Sequence, residues 1–157
     1  MTVWADGDSL QPEIRSLLCR RARREAESAA ARGSDPRFSA VFVAARMPKL
    51  EAGPGVEARL APDADGAILA AAEPGDLAVT RDLPLAERLA EKGLRVLNDR
   101  GAVFTAENVR ERRSLRDLAL ELRAQGLVPE SRRGSAWGQR ELKAFADALD
   151  RELAKAR

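Results

Sequence analysis

The stretch Val3-Trp4-Ala5-Asp6-Gly7-Asp8-Ser9-Leu10-Gln11-Pro12 decides the fold. A wholly apolar run of three residues stops at two aspartates around a glycine. Such a short, unalternating run is how a strand buried on both faces of a parallel sheet reads. Beyond Pro12, Ile14, Leu17, Leu18 and Ala22 recur at helical spacing, while Arg20, Arg23, Arg24 and Glu27 fall on the opposite face. Gly33 and Pro36 mark the helix exit.

Strands and helices go on alternating along the chain. Ala40-Val41-Phe42-Val43-Ala44, Leu77-Ala78-Val79-Thr80 and Leu94-Arg95-Val96-Leu97 read as buried strands, and Val56 to Leu60 adds a further strand. Helical patterns lie between them, from Ala64 to Ala72 and through Leu85, Ala86, Leu89 and Ala90 before Gly93. Strands alternating with helices predict crossover connections, hence a three-layer α/β/α fold with a mainly parallel central sheet. Residues 47–55, rich in Pro and Gly, read as a loop bordering the sheet.

After Thr105 a long helix carries Leu115, Leu118, Ala119 and Leu122 and ends near Gly126. These boundaries give an α/β domain over residues 1–126, a polar connector over 127–138 and a last helix over 139–157. Leu142, Phe145, Ala146, Leu149 and Leu153 form one apolar stripe on that helix. The stripe is expected to pack on the same domain or on a second subunit, the latter making a homodimer.

With 157 residues the chain suits a single compact domain. The opening residues lack a basic leader, and no apolar run is long enough to span a bilayer, so a cytoplasmic protein with no membrane partner is expected. The single Cys19 has no partner for an internal disulfide. The absence of histidine removes the commonest metal ligand and the usual neutral-pH base, leaving carboxylates, a metal or both to perform any catalysis. The net charge of +2 does not by itself demand a nucleic-acid partner, although arginines crowd 15–24 and 110–116. Glu25, Glu27 and Glu111 interleave them, as on ordinary solvated helix faces.

In open α/β sheets ligands gather outside the carboxyl ends of the strands. Asp6 and Asp8 stand there, as does Asp82 just past Thr80, and Asp65 begins a helix. If the Val3 and Leu77 strands are neighbours, Asp6, Asp8, Asp65 and Asp82 converge on one edge, where their mutual repulsion calls for a cation. Oxygen-only ligands favour Mg2+ or Mn2+. Each aspartate taken singly is better explained as a helix cap than as a ligand: Asp82 before Leu83-Pro84, Asp63 before the Ile68 helix, Asp8 or Ser9 before Pro12. Capping does not explain the pair, since one helix start needs one cap.

The stretch Pro74-Gly75-Asp76-Leu77-Ala78-Val79-Thr80-Arg81-Asp82-Leu83-Pro84-Leu85-Ala86, with Glu91-Lys92-Gly93, then Leu97-Asn98-Asp99-Arg100-Gly101, Phe104-Thr105 and Asn108, resembles the YaiI/YqxD family of bacterial proteins, related to the PIN-like nuclease superfamily. Asp6-Gly7-Asp8-Ser9-Leu10-Gln11-Pro12 is similar to the family's opening Asp-Ala-Asp-Ala-Cys-Pro, and Ala64-Asp65-Gly66-Ala67-Ile68 to its Ala-Asp element. The likeness runs nearly the full length. It implies a PIN-like domain over 1–126 with Asp6, Asp8, Asp65 and Asp82 as catalytic, metal-binding residues for Mg2+ or Mn2+. It also implies cleavage of RNA or DNA, with Thr80, Arg81 and Arg100 as candidate substrate contacts.

Departures are specific. Leu10 replaces the family's Cys, Gln11 is inserted, Pro62 stands where an Asp is common, Arg81 replaces a small residue, Ser131 to Gly138 shortens a glycine-rich segment, and Glu141-Leu142 replaces Asp-Arg. Arg81 therefore either pairs with an aspartate or contacts a phosphate bidentately. Three functions compete: a metal-dependent phosphodiesterase acting on RNA; a non-catalytic module binding nucleic acid or protein; and, lowest, a haloacid-dehalogenase-type phosphatase with Asp6 as nucleophile, for which the chain lacks a convincing later Lys and acidic pair.

Overall fold

A computed structural model of the protein describes residues 1–127 and 136–155. Most of the predicted connector, from 128 to 135, and residues 156–157 lie outside them. The elements run β1 (Thr2–Asp6), α1 (Pro12–Arg32), β2 (Ser39–Ala44), β3 (Val56–Leu60), α2 (Ala64–Ala71), β4 (Leu77–Val79), α3 (Leu83–Glu91), β5 (Arg95–Leu97), β6 (Val103–Phe104), α4 (Val109–Ala124) and α5 (Gln139–Ala154).

The strands form one sheet in the order β3-β2-β1-β4-β5-β6, parallel throughout except for the pairing of β6 with β5. β1 lies between β2 and β4, with Asp6 opposite Val43 and Ala5 opposite Val79. This is the adjacency that the acidic edge requires. Strand direction reverses at the β5–β6 turn, where Asn98 Oδ1 accepts from the amides of Arg100 and Ala102 and Gly101 takes φ +82°. That tight turn makes the antiparallel β6, which is only two residues long and carries no periodicity of its own.

Side chains alternate between two cores. Val3, Ala5, Ala40, Phe42, Leu77 and Val79 pack with Ile14 and Leu18 of α1 and Phe145, Ala148 and Leu149 of α5. Trp4, Val41, Val43, Ala78 and Val96 pack against Ile68 of α2, Leu85 and Leu89 of α3 and Val109 of α4. The stripe of α5 therefore covers the chain's own core, with Phe145 and Leu149 fully buried. At the amino ends of the strands, Asp76 accepts from the Thr2 amide at 2.8 Å and from Trp4 Nε1 at 3.0 Å, pinning β1 to β4.

α4 departs from what its periodicity predicts. Its apolar residues Leu115 and Leu118 are exposed, and only Val109 is buried. Arg113 and Arg116 attach it instead, reaching Glu87 of α3 at 3.1 and 2.6 Å and, through Arg113, Glu91 at 2.8 Å. Helical spacing identified the helix but not the face it presents.

Candidate functional site

The carboxyl ends of β1 and β4 carry the acidic edge. Asp6 ends β1 and is buried, at 4% exposure. Its Oδ2 accepts a hydrogen bond of 2.9 Å from the Thr80 hydroxyl, and Thr80 Oγ1 in turn accepts from the Asp82 amide at 3.0 Å. Asp82 caps α3, its Oδ1 accepting from the Leu85 amide at 2.9 Å. Asp63 caps α2 by accepting from the Gly66 amide at 3.0 Å, which leaves Asp65 in the first turn of that helix. Burial pushes the Asp65 carboxyl above the ordinary range, and the charges of Asp6, Asp82 and Asp63 push it further, while Arg88 acts in the opposite sense. Asp6, Asp65 and Asp82 thus share one electrostatic environment.

Asp8 does not join them through any contact of its carboxylate. It is exposed, and its oxygens accept from the amides of Ala45 at 2.7 Å and Arg46 at 3.4 Å, in the loop that follows β2. Nor does Asp8 or Ser9 cap α1. The residue at that cap is Gln11, which makes no side-chain capping bond; Pro12 at the first helical position lacks an amide N–H to satisfy.

Arg81 resolves toward an ion pair. Its Nε lies 3.2 Å from Asp99 Oδ2, and Nη1 donates to the Ser9 carbonyl at 3.4 Å. The partner is not one of the four predicted aspartates, and the Arg81 side chain remains half exposed. Asp99 is itself buried and accepts from Gln11 Nε2 at 2.7 Å, so the inserted Gln11 is built into the edge. Arg100 lies 3.7 Å from Glu141 at the start of α5. A cleft of about 210 Å3 opens between Thr80, Arg81, Asp82, Asn98, Asp99 and Phe104.

Asp99 is the member of the edge that sequence reasoning missed. It follows β5 as Asp82 follows β4, so the rule that selected Asp82 would have found it. The donor chemistry suits a hard cation, being all carboxylate and hydroxyl. Among the described residues, no group of three or more His, Cys, Asp or Glu side chains is arranged to hold a metal ion.

Parallel strands, helices on both faces and carboxylates gathered at the carboxyl ends define a three-layer α/β protein with an acidic edge beside β1 and β4. More particularly, the chain belongs to the uncharacterised BCR, YaiI/YqxD family, whose model matches residues 4–155. It is similar to the UPF0178 protein of Treponema pallidum (strain Nichols), 42% identical over 159 residues that span 99% of this chain and 82% of that one. The UPF0178 protein of Syntrophobacter fumaroxidans is 39% identical over 160 residues, covering 99% and 95%. That of Myxococcus xanthus is 38% identical over 159 residues, covering 99% and 95%. No solved structure matches.

Proposed function

We propose that the protein is a metal-dependent phosphodiesterase of the PIN-like type that acts on RNA, working at the edge formed by Asp6, Asp65 and Asp82. What carries this reading is the gathering of Asp6, Asp65 and Asp82 at the carboxyl ends of β1 and β4: burial, and then the charges of its acidic neighbours, push the Asp65 carboxyl up, and a divalent cation would relieve that repulsion. Asp6 and Asp82 would hold the cation, with Asp65 beside them. When bound, Mg2+ or Mn2+ supplies a water of lowered pKa and charge stabilisation for a phosphodiester.

The chain's own residues do the rest. Thr80 fixes the Asp6 carboxylate by donating to Oδ2, so that this oxygen does not rotate away from the edge. Asp65, held above the usual carboxylate range, is the candidate group to accept a proton from an attacking water. Arg81, oriented by Asp99 and the Ser9 carbonyl, keeps donors available on an exposed guanidinium for a phosphate oxygen.

Mn2+ is expected to raise the melting temperature, and Asp6→Asn with Asp82→Asn to abolish both that rise and the cleavage of a single-stranded oligoribonucleotide. A parent protein whose melting point ignores Mn2+ would sink the reading. A non-catalytic binding module is the second reading, favoured by the lack of a three-ligand cluster among the described residues. It predicts oligonucleotide binding that survives neutralisation of the aspartates, with no turnover.

A further inference from the structure

The loop after β2 is fastened at both ends and carries cations that nothing engages among the described residues. At its start, Asp8 holds the amides of Ala45 and Arg46. A Cβ placed on Gly7 would stand 3.5 Å from Pro48 Cγ, so the loop lies over the glycine that separates Asp6 from Asp8. At its far end, Ser16 donates to Glu51 and Arg23 lies 3.7 Å from the same carboxylate. Gly55, at φ +77°, sits so close to α1 that a Cβ would come within 2.7 Å of the Ala22 carbonyl. Between these anchors, Arg46 and Lys49 are exposed and their side chains have no partner among the described residues. A cleft of about 370 Å3 runs between the loop and α1, lined by Pro12, Arg15, Ser16, Lys49, Leu50 and Glu51. Arg15, at the same cleft, already donates through Nη1 to the Leu10 carbonyl.

We propose that residues 45–50 form a rail for the phosphodiester backbone of single-stranded RNA, in which Arg46 and Lys49 bind phosphates and Asp8 is a positioning residue that sets the loop. This rests on reading the neighbouring acidic edge as a phosphodiester site. A fixed loop presents its cations without paying their ordering entropy at the moment of binding. Glu51 is the acid that lines the cleft, and it is already occupied by Ser16 and Arg23. Backbone contacts of this kind give affinity and register without sequence preference.

The test is binding of a fluorescein-labelled single-stranded oligoribonucleotide, followed by anisotropy in EDTA over a KCl series. It needs neither metal nor hydrolysis, so a catalytically inert parent protein does not affect the result. Arg46→Ala with Lys49→Ala is expected to weaken binding about tenfold at low salt and to reduce the slope of log affinity against log salt by about 1.4, the loss of two single-strand phosphate contacts. Arg140→Ala with Arg151→Ala on α5, an equal loss of charge elsewhere, is expected to leave that slope unchanged. Asp8→Ala removes a negative charge, which should tighten RNA binding if its role were only electrostatic; weaker binding, with the Mn2+ response of the melting point retained, is the expected result. Absence of binding by the parent protein, an unchanged slope in the Arg46/Lys49 variant, or tighter binding by Asp8→Ala would each overturn the proposal.

Discussion

Among the described residues, a single hydroxyl, that of Thr80, meets the buried Asp6 carboxylate. Thr80→Val keeps the shape of that side chain and deletes the donor to Asp6 and the acceptor for the Asp82 amide. It is expected to cost about 1–3 kcal/mol, read by denaturant unfolding, because buried polar groups left without partners forfeit their solvation. Asp65 behaves oppositely. Its folded-state pKa is raised, so the native state binds more protons than the unfolded one between the ordinary carboxylate value and the raised one. Stability therefore falls as pH rises through that window, and the loss is complete above it. Asp65→Asn should raise the melting temperature at neutral pH, and the advantage should vanish below the ordinary carboxylate range. A melting point lowered at neutral pH would mean that Asp65 makes a favourable contact as an anion.

Among the elements, α1 and β2 are tied by a buried acid. Glu25 accepts from the Arg37 amide, Nε and Nη2 at 3.1, 3.2 and 3.0 Å, just before β2 begins. The side-chain and backbone hydrogen bonds from Arg37 hold its carboxyl below the usual range. That stabilisation is present above the ordinary glutamate value and is lost as pH falls through the depressed one. Glu25→Gln is expected to destabilise the protein at neutral pH, with the difference from the parent closing in acid, as thermal melts across pH would record. The elements also mark where sequence reading succeeded. Strands buried on both faces announced themselves as apolar runs, and Asp63 and Asp82 capped the helices they precede. β6 did not, because two residues hold no period, and its pairing is dictated by the Asn98 turn. The site was legible in part: proximity of Asp6 to Thr80 and Asp82 follows from strand adjacency, whereas the direction of Asp8 depends on a loop 37 residues away in the chain.

For the whole molecule, one of the two cores is completed from both ends of the sequence, by α1 and α5. Trp137 donates to the Asp99 carbonyl at 2.9 Å, and a Cβ on Gly101 would meet the Ala144 carbonyl at 2.6 Å, so α5 and the residues leading into it clasp the turn after β5. Arg95 of β5 lies 3.1 Å from buried Glu152 on the same helix. Removing residues 139–157 would uncover the face that Phe145, Ala148 and Leu149 fill. Such a chain is expected to lose its cooperative thermal transition and to bind a hydrophobic dye, rather than to persist as a shortened domain; a sharp melt would show that residues 1–138 fold alone. No helix among the described residues is long and apolar enough to cross a membrane.

The placement of α5 has a consequence for synthesis of the protein. β1 and α1 are made long before α5, so one of the two faces of the sheet lacks part of its cover until Gln139–Ala154 has been translated. During most of elongation the nascent chain carries an open apolar surface beside strands that still lack their full set of neighbours, the state in which chains associate wrongly. The speed at which α5 is translated, and any holdase that shields the unfinished sheet, are expected to influence yield.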